Sequence, residues 1–136
     1  MYKYWFAFLL NLAWEFWQVP FFRDMAALSH WEGIKQCSLA TLGDALIMVA
    51  AFRLAARQGR GRDWYLAPSR REMGVFLATG VAATVLFEAL ATRVLGQWQY
   101  GAAMPVVPFL GTGLVPIAQW LVLPPLVLWF VRRQLT

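Results

Sequence analysis

"NLAWEFWQVPFF" (residues 11–22) is a run of apolar and aromatic side chains interrupted by Asn11, Glu15 and Gln18. The three polar residues are spaced i, i+4, i+7, so on a helix they share one face. Everything around them is Leu, Ala, Trp, Phe, Val or Pro. A helix of this kind is inside out. Its polar stripe faces other helices and its apolar remainder faces lipid.

The rest of the chain agrees. It has 136 residues, 60% of them hydrophobic and only 14% charged, with a mean hydropathy of +0.52. Soluble domains are closer to half apolar and a quarter charged. Four stretches, 4–22, 36–56, 73–91 and 113–131, come near the roughly 20 apolar residues that a spanning helix needs. Alternating barrel strands are absent, and only helices or closed barrels satisfy their backbone in lipid. The expectation is one all-α domain over 1–136, a four-helix transmembrane bundle. The first stretch lacks a small-residue cleavage site and carries Glu15, so it reads as a retained span, not a signal peptide.

The net charge of +5 is distributed by side, which argues against nucleic acid as its partner. Lys3, Arg53, Arg57, Arg60, Arg62, Arg70, Arg71, Arg132 and Arg133 fall at one end of four alternating spans, and Arg23, Lys35 and Arg93 at the other. That asymmetry places both termini in the cytoplasm and the chain in the cytoplasmic (inner) membrane. A single cysteine, Cys37, excludes a disulfide framework and a cysteine metal site.

The connections differ in kind. Residues 57–72 are basic and polar, a cytoplasmic linker between two helical hairpins. Residues 23–35 form an outer loop with Asp24, the only histidine His30, and Trp31. Residues 92–113 are rich in Gly and Pro yet apolar, so this segment is expected to lie at the outer interface or fold back over the bundle as a partial, re-entrant lid. Trp98 and Tyr100 suit an interfacial belt. Pro124 and Pro125 fall within the fourth span and are expected to kink it.

Three acids lie inside the spans: Glu15, Asp44 and Glu88. Each costs at least about 2.5–3.5 kcal/mol at the bilayer centre on insertion scales. Counted from the span ends, all three fall in the outer half, and Gln119 of the fourth span reaches a similar depth. Thr41 shares a face with Asp44, and Thr84 and Thr92 with Glu88. Bonding between helices, including an ion pair of Glu88 with Arg93, accounts for these groups only if small gains justify three acids. The alternative is a functional polar site. Burial disfavours charge, so at least one acid is expected to be protonated, and close acids titrate together. A neutral carboxylic acid among electron-rich rings suits general-acid chemistry through a carbocation. A metal site is disfavoured, with one histidine in a loop and no ligand motif. No cofactor is implied.

"NLAWE" (11–15) resembles the Asn-x-x-Trp-Glu stretch of integral-membrane terpene cyclases. That likeness implies the role of cyclisation acid for Glu15. The stretch from Glu88 through "GQWQYGAAMPVVPFLGTGLVP" (96–116) resembles membrane lycopene cyclases and carotenoid hydratases, which implies Glu88 as an acidic site residue with Trp98 and Tyr100 beside it. Gln119 stands roughly where those cyclases carry an acid.

The expected site therefore has Glu15, Asp44 and Glu88 as acid, base or proton-sharing groups. Asn11, Trp14, Gln18, Arg93, Trp98, Tyr100 and Gln119 would bind an isoprenoid or other lipid. Two other functions stay open: a non-enzymatic subunit of a larger membrane complex, self-associated or with a partner, and a proton or cation carrier.

Overall fold

The computed structural model describes residues 1–59 and 61–135; Arg60, one of the basic residues assigned to the cytoplasmic end, lies outside the described residues. The chain is 77% helical with no strand among them. Four long helices follow one another: α1 (Tyr2–Gln18), α2 (His30–Ala56), α3 (Arg70–Ala89, continued by a π-turn Leu90–Val94) and α4 (Leu114–Leu135). Each packs against two neighbours, α1 on α2 and α4, and α3 on α2 and α4.

Three helices, His30–Ala56, Arg70–Val94 and Leu114–Leu135, are long and apolar enough to cross a membrane. The fourth expected span is shorter than its sequence stretch. α1 has 17 residues, about 26 Å at 1.5 Å per residue, and stops at Gln18 because Pro20 turns the chain into a 3-10 segment, Val19–Phe21.

α2 begins six residues earlier than its apolar stretch. Ser29 caps it by accepting from the Glu32 amide, so His30, Trp31 and Lys35 belong to the helix and not to a loop. α3 opens on the same Ser-x-x-Glu spacing with both arms of a capping box made: Ser69 accepts from the Glu72 amide and Glu72 from the Ser69 amide. Such caps satisfy amides that have no partner within the helix. Pro124 and Pro125 do not end α4, which runs through them as helix, although each removes a backbone donor.

Packing is inverted relative to a soluble protein. The buried residues of α1 are Ala7, Asn11, Glu15 and Gln18; Trp5, Leu9, Phe16 and Trp17 are exposed. Such a face is stable against lipid and costly against water.

The apolar core lies towards the basic end. Phe52, Trp64 and Phe76 meet there with ring centroids 4.7–5.6 Å apart, ringed by Met48, Ala51, Ala55, Val127, Leu128 and Val131. Trp64 belongs to the basic connection, which is no loose linker. It forms a 3-10 helix (Gly61–Leu66), and its indole nitrogen donates to Phe52 O at 3.2 Å. The Lys3 ammonium lies 4.6 Å from the Tyr65 ring, so the N-terminus, this connection and α4's end share one end of the molecule. Midway up, Trp120 fills the space left by Gly80; a Cβ on Gly80 would stand 1.9 Å from the indole.

Candidate functional site

Above the Trp120–Gly80 contact the interior turns polar. Gln119 of α4 donates from Nε2 to Asn11 Oδ1 of α1 at 2.8 Å and to Asp44 Oδ2 of α2 at 2.7 Å. Asn11 in turn donates to Ala7 O at 2.7 Å. Glu15 lies one turn further on, and its carboxyl comes close to that of Asp44, with Gln18 and Gln119 nearby. Trp14 donates to Gln18 Oε1 at 3.2 Å. The expected common depth of Glu15, Asp44 and Gln119 is therefore realised as direct contact among three helices. Asn11, Glu15, Gln18 and Gln119 are buried, while Asp44 is half-buried. Two carboxyl groups this close in an apolar interior are able to share one proton.

Glu88 occupies a second group beside the first. Its Oε2 accepts from the Tyr100 hydroxyl at 2.5 Å and from Trp98 Nε1 at 3.4 Å. Tyr100 also accepts from the Gly113 amide. Glu88 senses Glu15 and Asp44 electrostatically, but no hydrogen bond joins it to them. Trp98 and Tyr100 thus turn inward from the outer connection instead of lying as a belt. Tyr100, outside the spanning segments, has its phenol pushed up by burial first and by its bond to Glu88 second, against the opposing Gly113 amide and Arg93 charge.

Arg93 does not pair with Glu88. Its guanidinium donates to Leu110 O, closing the apolar loop 105–112, and Gly111 (φ +68°) has no room for a Cβ beside it. Among the described residues the acids make no ion pair with a basic side chain; the surface pair Lys35–Glu32 lies elsewhere. No group of three His, Cys, Asp or Glu residues with metal-holding geometry occurs among the described residues. His30 sits at the exposed start of α2, 6.1 Å from Trp31.

Three contributors were not legible in the sequence. Cys37 points its thiol at Glu15 O, 3.8 Å away. The Thr112 hydroxyl is buried without a hydrogen-bond partner. Phe22 packs on Tyr100 and Trp98, with centroids at 5.8 and 6.5 Å. Nothing in local spacing marks any of them. Cys37 is brought in by the packing of α2 on α1, and Phe22 by the pairing of two connections that are far apart in the chain.

The polar layer is bounded on one side by the buried Trp120, Met48 and Phe76 and on the other by the half-buried Tyr100, Trp98 and Phe22. Two shallow apolar grooves open elsewhere, one of about 350 Å3 lined by Met1, Tyr4, Trp5, Phe8 and Ala45, the other of about 510 Å3 along Leu121, Val122, Pro125, Leu126 and Trp129. Both face the apolar exterior, and neither includes an acid.

Comparison with family models, with curated proteins and with solved structures finds no match. Function must therefore be argued from this arrangement itself.

Proposed function

We propose that the chain is a four-span protein of the cytoplasmic membrane whose outer-half polar layer performs acid/base chemistry on an isoprenoid or similar lipid. Cyclisation, isomerisation and hydration all fit that chemistry. Glu15 and Asp44 are its proton-sharing pair, and Glu88 is a third acid oriented by Tyr100 and Trp98. Gln119, Asn11 and Gln18 fix the pair, and Trp14, Trp98 and Tyr100 offer rings to a developing cation. The observation that carries this reading is that Gln119 bonds both Asp44 and Asn11, with the Glu15 carboxyl close to that of Asp44. Polar groups of three helices converge there on two neighbouring carboxyl groups. The likeness of "NLAWE" to terpene cyclases supports the same assignment of Glu15.

Both termini then face the cytoplasm, with the carboxylates towards the outer leaflet. α1 and its 3-10 continuation together reach about 32 Å at roughly 1.5 and 2.0 Å per residue, against a hydrocarbon core of about 30 Å.

The carrier reading is less well supported. A relay needs a chain of polar groups through the membrane, and the inner half is filled by Trp120, Phe76, Phe52 and Trp64. A purely structural subunit would explain the aromatic exterior but not a carboxyl pair.

The test is the carboxylic-acid infrared band of the purified protein, titrated with Glu15→Gln, Asp44→Asn and Glu88→Gln as assignments, followed by turnover assays with isoprenoid lipids. A band that both Glu15→Gln and Asp44→Asn remove establishes the shared proton. Full turnover of an identified lipid by both variants sinks the enzymatic role.

A further inference from the structure

The outer cap is stitched to the bundle in an unusual way. Residues 21–23 and 99–101 form a short antiparallel pairing: Arg23 N donates to Gln99 O at 2.8 Å, and Gly101 N to Phe21 O at 2.9 Å. Gly101 eases this approach, since a Cβ there would stand a tight 3.2 Å from Phe21 O. The two outer connections therefore behave as one leaf. Phe22 on one strand of the leaf packs on Trp98 and Tyr100 of the other.

The side chains that fasten this leaf to α3 are the same two that touch the acid. Tyr100 and Trp98 both donate to a single oxygen, Glu88 Oε2. On the chain side the leaf starts at Gly96, which has φ +58° and open space where a Cβ would be. The π-turn Leu90–Val94 lies immediately before it. π-turns recur at functional sites and glycine permits large backbone excursions. At its far end the connection is pinned, because Arg93 holds Leu110 O beside Gly111. One end pivots, the other is fixed, and the latch is a carboxylate.

We infer that the outer connection is a lid over the polar layer, hinged at Gly96 and latched shut by Tyr100 and Trp98 on Glu88. Closed, the leaf covers Glu88 from above and Trp120 on Gly80 floors the layer, and the two apolar grooves do not include the acids. A ligand that reaches Glu88 Oε2 from the outer end enters when the latch opens. A donor on that ligand takes the place of Tyr100 on Glu88, so entry and release of the lid are one exchange of hydrogen bonds. The lid does not depend on which chemistry the acids perform, and its failure would leave the carboxyl pair untouched.

The experiment is a distance measurement by pulsed electron paramagnetic resonance in lipid nanodiscs. Labels go on Lys35→Cys and Gln97→Cys in a Cys37→Ser background; both labelled positions are exposed. The parent gives one narrow distance. Tyr100→Phe with Trp98→Phe at least doubles the width of the distribution and adds longer distances. Glu88→Ala does the same. Thr79→Val, on α3 but away from the leaf, leaves it narrow. A circular dichroism spectrum and melting point close to the parent's confirm that each variant is folded. Should Glu88→Ala fail to fold, the Tyr100 and Trp98 variants decide alone. An unchanged narrow distance in the folded double variant overturns the latch.

Discussion

Gln119 spends one amide nitrogen on two acceptors, Asp44 Oδ2 at 2.7 Å and Asn11 Oδ1 at 2.8 Å. An –NH2 group has two hydrogens, so its donor capacity is fully used. Gln119→Leu removes both bonds at once and leaves a buried amide oxygen and a carboxylate oxygen without this donor. Each such loss costs about 1–3 kcal/mol, so a large drop in melting temperature is expected. Gln119→Glu keeps the shape but replaces the donor with an acceptor facing Asp44. It should be as damaging as the leucine at high pH and partly recover at low pH, where a proton restores a donor. Melting curves in detergent at two pH values check both statements.

Gly80 and Trp120 make the floor of the polar layer. Filling the Gly80 site places a methyl 1.9 Å from the indole, so Gly80→Ala forces α3 and α4 apart. Overpacking of this kind costs about 1–3 kcal/mol. Combined with Trp120→Leu, the alanine should be nearly neutral, because the clashing ring is gone. A double-mutant cycle in melting free energy reads this as a non-zero coupling, the double variant losing less stability than the sum of the two single losses.

What the sequence disclosed follows from how local each feature is. The polar stripe Asn11, Glu15, Gln18 was legible because a single helix fixes its geometry, and the meeting of Glu15, Asp44 and Gln119 followed from depth counting along antiparallel spans. The early start of α2 was written in "SHWE" (29–32), a Ser-x-x-Glu start signal, but hydropathy alone drew the boundary at Gln36. The place of Trp98 and Tyr100 beside Glu88 was suggested by the resemblance alone, while composition pointed to an interfacial belt. That place depends on backbone bonds between 21–23 and 99–101, which no side-chain pattern announces. The pairing of Arg93 with Glu88, one of the bonds the sequence allows, is not made, because the guanidinium is taken by Leu110 O of the apolar loop. Trp64 was hidden because its basic neighbours make the segment look fully solvated.

The number of crossings is decided by α1. With four crossings the two termini share a side; with α1 lying on the surface they do not. Reporter fusions at each end, active only in the cytoplasm or only outside it, should both report the cytoplasm. Lys3→Glu together with Arg132→Glu and Arg133→Glu weakens the charge asymmetry and should yield a mixed orientation. An N-terminal reporter on the opposite side from the C-terminal one would remove α1 from the membrane and move Glu15 to its surface.

Tyr100 supplies a pH signature that separates the latch from ordinary packing. Its folded-state phenol lies above the ordinary value of 10.0, chiefly through burial and then through its bond to Glu88. The neutral phenol is thus the form favoured by folding. Below about pH 10, folded and unfolded chains both hold the proton, and the stabilisation is fully present. Above that, the unfolded chain releases its proton while the folded one keeps it, so stability falls as pH rises, by up to about 1.36 kcal/mol per unit for this single group. Phenylalanine has no proton to lose. Tyr100→Phe is therefore expected to be less stable than the parent at pH 7 by about 1–3 kcal/mol, the cost of a lost hydrogen bond to a charged group. The gap should narrow steadily between about pH 9.5 and pH 11. Denaturation at a series of alkaline pH values in one detergent gives both curves. A gap that stays constant over that range would mean that Tyr100 contributes only its ring.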